Sequence, residues 1–277
     1  MKKLIRGLRE FKSSYFPANE ELFEQLSLGQ KPRVLFITCS DSRIDPNLIT
    51  QAGLGELFVI RNAGNIIPPF GATNGGEGAT IEYAIQALDI QQIIVCGHSH
   101  CGAMKGLMKL DKLRVEMPLV HDWLKYAEAT RRLVKDNYSN YEGEELLEII
   151  IAENVLTQIE NLRTYPAIRS KLHQKQLSIY AWIYQIETGE VLAYNPQQHA
   201  YVLLPNHLPP SEIDETLISP SLTSDGDIHF PTNQQSAVRL PKQIPSSEYE
   251  WFPMTELAPE QWERIYRGSK TNSETSN

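Results

Sequence analysis

Along the first two hundred residues of this 277-residue chain, short β-branched runs closed by glycine or polar residues alternate with stretches of helical periodicity. Val34-Leu35-Phe36-Ile37-Thr38, Leu57-Phe58-Val59-Ile60 and Ile93-Ile94-Val95-Cys96 are apolar runs of strand length, so they read as buried strands. Arg61-Asn62-Ala63-Gly64-Asn65 reads as a turn after the second run, and Gly97 as a turn residue after the third. Between these two strands Gly75-Gly76-Glu77-Gly78 leads into a helix over 79–88, whose Ile81, Ala84, Ile85 and Leu88 share one face. A strand, helix, strand order predicts a parallel sheet with right-handed crossovers. Helical patterns follow over 102–110 and 146–165, with Pro166 expected to stop the second. The stretch 177–184 alternates, Thr188-Gly189 turns and 191–194 returns, which predicts a hairpin closing the sheet. Ahead of all this, Leu4, Leu8, Phe11 and Tyr15 recur at helical spacing and mark an amphipathic helix whose stripe needs a partner surface. The fold class expected is α/β: a mostly parallel central β-sheet flanked by helices, with an N-terminal helical arm and a largely disordered C-terminal tail.

The texture changes near residue 204. Nine of the 17 prolines fall beyond it, among many Ser and Thr and without sustained periodicity. Such a segment buries too little apolar surface to offset its ordering entropy. The expected division is therefore a catalytic domain over 1–204, its first thirty residues an arm, and an extension over 205–277. Within the extension Trp262, Ile265 and Tyr266 fall on one face of a short helix, so the stretch near 259–270 reads as a peptide that folds on docking.

Charge and cysteine usage narrow the function. A net charge of −8 argues against nucleic acid as a partner, which needs a basic face. The start Met1 to Glu10 is too charged for a signal peptide, and no run approaches the ~20 apolar residues of a membrane span, so neither export nor a membrane role is expected. Three cysteines in so long a chain make no disulfide framework, which points to a reducing compartment.

The candidate chemistry sits where two predicted strands end. Cys39-Ser40-Asp41-Ser42-Arg43 follows the first and His98-Ser99-His100-Cys101 the third, and ligands bind beyond the carboxyl ends of parallel strands. Cys39, His98 and Cys101 offer two thiolates and one imidazole, a set that suits zinc and leaves its fourth tetrahedral position open. Two thiolates cancel the charge of the ion, so burial and outer hydrogen bonds must restore acidity. Asp41 could bind zinc itself, or be drawn off by Arg43 and act as a hydrogen-bond acceptor. A closed structural Cys-Cys-His-Asp site is disfavoured by the long separation of Cys39 from the other two ligands. A Cys39 nucleophile paired with His98 leaves Cys101 without a role. Cys96 reads as a small buried residue and His100 as a supporting group rather than a ligand; the other histidines carry no motif.

Cys-Ser-Asp-Ser-Arg followed by His-Ser-x-Cys-Gly resembles the β-class carbonic anhydrases, over roughly residues 1–200. The resemblance implies one Zn2+ per chain on Cys39, His98 and Cys101, with Asp41 and Arg43 as a catalytic dyad. It implies a substrate pocket from Gln30, Phe58, Tyr83 and Gly102, shared between the subunits of a homodimer or a higher oligomer of dimers. The reaction implied is reversible hydration of carbon dioxide to bicarbonate. A rival chemistry on the same scaffold is hydrolysis of a sulfur analogue such as carbonyl sulfide, and a rival class is an adaptor with a silent zinc site. The long extension is similar to that of the cyanobacterial carboxysomal branch, whose enzymes are recruited to a shell scaffold protein. That implies a place in the carboxysome, with Trp262, Ile265 and Tyr266 as the scaffold contact.

Overall fold

The computed structural model describes residues 1–73 and 75–204; the extension, with its docking peptide at 259–270, lies outside the described residues. The arm opens with α1 (Lys2–Glu10), continues through a π-helical turn (Phe11–Tyr15) into α2 (Phe16–Ala18) and ends with α3 (Glu20–Ser27). Leu4, Leu8, Phe11 and Tyr15 are all exposed on it, so among the described residues the stripe read from the sequence is left open. Then come β1 (Val34–Cys39), α4 (Pro46–Thr50), β2 (Leu57–Asn62), α5 (Gly76–Gln86) and β3 (Gln92–His98). Helices α6 (Gly102–Leu107), α7 (Leu110–Glu116), α8 (Pro118–Leu124), α9 (Glu128–Asn137), α10 (Gly143–Arg163) and α11 (Pro166–His173) precede β4 (Ser178–Tyr184), β5 (Val191–Asn195) and β6 (Ala200–Leu203).

The sheet order is β2-β1-β3-β4-β5-β6. Strands β2, β1, β3 and β4 are parallel, and β5 pairs antiparallel with β4 through the expected hairpin. Leu35, Phe36, Ile37, Ile93 and Val95 are sealed from solvent, as strands covered on both faces require. Helix α10 is the main cover. Twelve of its residues are buried, among them Glu153, Asn154 and Gln158, so it runs through the core rather than over it.

Two local expectations are corrected. Arg61 and Asn62 belong to β2, where Arg61 is in register with Thr38 of β1, so the turn begins only at Ala63. Gly97 lies inside β3. A Cβ there would come within 2.9 Å of Val155 Cγ2 and 3.2 Å of Ile151 Cγ2, so the glycine is kept because α10 presses on the strand at that point. Helix α10 ends at Arg163, ahead of Pro166 as expected, and Pro166 also starts α11, since its fixed φ and missing N–H suit the first helical turn. The helices over 110–137 and strand β6 were not anticipated.

Gly97→Ala is therefore expected to lower the unfolding free energy by about 1–3 kcal/mol through overpacking, measured by urea denaturation. An unchanged midpoint would show that α10 retreats without cost.

Candidate active site

Strands β1 and β3 lie side by side and end at the same edge, which brings Cys39 and His98 together; Cys101 follows as the N-cap residue of α6. Cys39 Sγ and Cys101 Sγ are 4.0 Å apart, and with a ring nitrogen of His98 the donor atoms lie within 4.8 Å of one another. All three side chains are buried. His98 Nδ1 lies 2.9 Å from the Ser99 carbonyl, to which only a protonated nitrogen can hydrogen-bond. That fixes the tautomer and leaves Nε2 as a lone pair. His98 Nε2 is buried and has no hydrogen-bond partner among the described residues. A lone pair aimed at two sulfurs inside a dry core is what a soft metal ion satisfies, so the donor set fits one.

The sulfurs are not equivalent. The Cys39 thiol is pulled down to about 4 by its hydrogen bond with Cys101, against the effect of burial, with help from His98 and from the Gly64 N–H 3.4 Å away. Cys101 is pushed up, first by that same hydrogen bond and then by burial. The two thiols are thus coupled through one shared hydrogen bond. Cys96, sealed within β3, is pushed up to about 12 by burial and stays a thiol, as a packing residue should.

Asp41 is drawn off by Arg43. Arg43 Nε and Nη2 donate to Asp41 Oδ1 and Oδ2 at 2.9 and 2.7 Å, and the Arg43 N–H adds a third bond at 3.0 Å. These bonds hold the Asp41 carboxyl well below the usual carboxylate range. Its Oδ2 nevertheless stays 3.9 Å from His98 Nε2, so an ionised acceptor stands at the edge of the donor cluster. Phe58 and Tyr83 face each other with ring centres 6.1 Å apart, Tyr83 half exposed. Gly102 is the first residue of α6, and a side chain there would meet nothing within 4 Å. Gln30 is exposed on the link between α3 and β1, and among the described residues no hydrogen bond joins it to the cluster.

Several supporting residues escape a reading by motif. Arg61 Nε donates to the Cys39 carbonyl at 3.2 Å, and its Nη2 to those of Asp41 and Ile44 at 2.7 and 2.9 Å, pinning the loop that carries the carboxylate. Gly64 has φ +83°, and a Cβ on it would come within 2.8 Å of Met104 Cε, so only glycine fits. Its carbonyl accepts from Asn154 Nδ2 at 3.0 Å, and its neighbour Ala63 accepts from Trp123 Nε1 at 2.8 Å. No periodicity reports such contacts; a glycine two residues beyond a strand end was the one visible signal for Gly64.

The geometry defines an α/β protein with a buried sulfur and imidazole cluster beside an arginine-held carboxylate, at the carboxyl edge of a parallel sheet. The carbonic anhydrase family profile matches residues 34–191. A carbonic anhydrase of Synechococcus elongatus is 57% identical over 97% of this chain and 99% of its own length, and one of Synechocystis is 55% identical over 98% and 100%. A Pseudomonas aeruginosa relative is 41% identical over 75% of this chain and 93% of its own. Among solved structures, the β-carbonic anhydrase CcaA superposes with a TM-score of 0.73 at 66% identity, covering 74% of this chain and 99% of that one. A tetrameric β-carbonic anhydrase of Sordaria macrospora gives 0.63 at 27% identity, over 69% and 95%. The chain belongs to the carbonic anhydrase family, in its β class, and its reaction is the hydration of carbon dioxide.

Loaded protein is expected to carry about one zinc per chain. Cys39→Ala or His98→Ala should bring this below about a tenth, while Cys96→Ala leaves it unchanged, all read by metal analysis after gel filtration. Full retention by either ligand variant would remove the site.

Proposed function

We propose that this chain is a zinc-dependent carbonic anhydrase that supplies carbon dioxide to Rubisco inside a carboxysome. The observation that carries the zinc assignment is the orphaned, buried Nε2 of His98 beside the buried sulfurs of Cys39 and Cys101, a three-donor set. Zinc held by two thiolates and one imidazole supplies a Lewis acid that acidifies water at neutral pH. The rest is the work of the chain. Asp41, ionised and held through both oxygens by Arg43, has only hydrogen-bond accepting capacity left. It accepts a proton-bearing bond from the attacking water and so turns that water's lone pair toward the carbon of carbon dioxide. Attack forms one C–O bond, a C=O bond opens to leave the charge on oxygen, and a proton leaves, so the products are bicarbonate and a proton. Gln30 donates to a substrate oxygen, while Phe58, Tyr83 and Gly102 shape an apolar pocket for a small gas. The exposure of Gln30 and of the Leu4, Leu8, Phe11 and Tyr15 stripe supports a site completed in a homodimer or an oligomer of dimers.

The cellular assignment rests on the extension. The two cyanobacterial relatives align with 97% and 98% of this chain, whereas the Pseudomonas and Escherichia coli enzymes align with 75% and 74%, about the share that residues 1–204 represent. Carbonic anhydrase chemistry therefore needs no such tail, and a tail kept beside a complete catalytic domain suits recruitment. The occupant proposed for its Trp262, Ile265 and Tyr266 face is a carboxysome shell scaffold protein.

In stopped-flow assays, hydration of carbon dioxide should track zinc content and vanish in Cys39→Ala; full zinc without hydration would contradict the catalytic reading. Removing residues 258–277 should abolish co-purification with the shell scaffold while leaving hydration intact, and undiminished co-purification would remove the tail contact.

A further inference from the structure

One residue joins the two loops that carry the donor cluster without being one of its donors. His100 stands between His98 and Cys101 with φ +54°, in the left-handed region that side chains rarely adopt. Its carbonyl accepts from Arg43 Nη2 at 3.2 Å, the same nitrogen that donates to Asp41 Oδ2. Two carboxylates from other elements grip its ring. Nδ1 lies 3.2 Å from Glu144 Oε2 in the first turn of α10, and Nε2 pairs with Glu187 Oε1 in the β4–β5 turn.

Exposed ion pairs alone fix little, and His100 and Glu187 are each 46% exposed. Glu187, however, has an anchor. Its other oxygen accepts from Ser99 Oγ at 2.9 Å, and that hydroxyl accepts in turn from the Ile186 N–H at 2.9 Å. Ser99 is buried, and its own N–H donates to the Tyr184 carbonyl at 2.9 Å. The grip on His100 therefore rests on the hydrogen-bonded frame of the sheet.

We propose that His100 and Glu187, anchored by Ser99, are positioning residues: they fix the His100 carbonyl so that Arg43 keeps its two-pronged hold on Asp41. The consequence lies at the donor cluster. Asp41 Oδ2 is 3.9 Å from His98 Nε2, so a carboxylate released by Arg43 needs only a small rotation to become a metal ligand. The clamp keeps Asp41 as a proton acceptor instead. This inference rests on the zinc reading of the site.

The test uses full-length protein loaded with cobalt(II) and, in parallel, with zinc. His100→Gly removes the ring but keeps the left-handed backbone open to the chain, since glycine takes it freely. Glu187→Gln keeps the shape and removes the charge. Both variants are expected to bind metal like the parent. The visible cobalt spectrum should change in both as a carboxylate joins the metal, and that change should disappear when Asp41→Asn is added. The zinc enzymes should lose at least tenfold in kcat with KM within about twofold, since a misplaced group costs rate rather than binding. A parental cobalt spectrum and kcat in His100→Gly would overturn the proposal, as would a spectral change that persists with Asp41→Asn. If His100→Gly does not fold, Glu187→Gln decides by the same readouts. A parent protein that fails to hydrate carbon dioxide would count against the function, while the cobalt spectra still judge the clamp.

Discussion

Everything in this structure answers to one requirement: Cys39, His98 and Cys101 converge in a buried cluster, where one ring nitrogen has no partner among the described residues. A buried polar atom without a partner costs about 1–3 kcal/mol, and His98 Nε2 is such an atom. The two thiols at 4.0 Å share a hydrogen bond, but both cannot ionise without a cation between them. Binding of the proposed ion would recover that free energy, as with other sites whose ligands must deprotonate to bind.

The surrounding framework keeps those donors from relaxing into each other. Parallel pairing of β1 and β3 sets the positions of Cys39 and His98, and α10 closes against β3 at Gly97. The same helix extends a ladder of amides at i, i+4 and i+7. Asn154 Nδ2 donates to the Gly64 carbonyl, Gln158 Oε1 accepts from the Ile67 N–H at 2.7 Å, and Asn161 Nδ2 donates to the Ile67 carbonyl at 2.9 Å. A loop with no secondary structure of its own is thereby held as firmly as a strand, and its Gly64 N–H can rest on the Cys39 sulfur. Hydrogen bonds to a ligand's sulfur tune a metal centre from outside its ligand set. Helix α10 thus acts as the outer wall of the active site as well as core.

What the sequence reveals is what lies within a few residues of itself. Cys39, Asp41 and Arg43 span five positions, and His98 and Cys101 span four, so the chemistry is compressed into two local signals at strand ends. The parallel sheet is legible for the same reason, from three apolar runs and one helix between them. Contacts that bridge ninety residues, such as Asn154 to Gly64, leave no local periodicity. Gly97 was misread because a glycine after an apolar run usually ends it, whereas here the missing side chain admits a helix. The helices over 110–137 were missed because they are short and mixed in polarity; α9 buries only Thr130 and Val134. His100 was read as a supporting group, yet its left-handed backbone and its two carboxylates become visible only in three dimensions.

The most direct test of the central claim is X-ray absorption at the zinc edge of the full-length, zinc-loaded protein. The account predicts two sulfur scatterers at about 2.3 Å and one imidazole nitrogen near 2.0–2.1 Å, with a light atom completing the tetrahedron. A first shell of light atoms alone, or with a single sulfur, would contradict it and would require Cys39 and Cys101 to be sought another purpose.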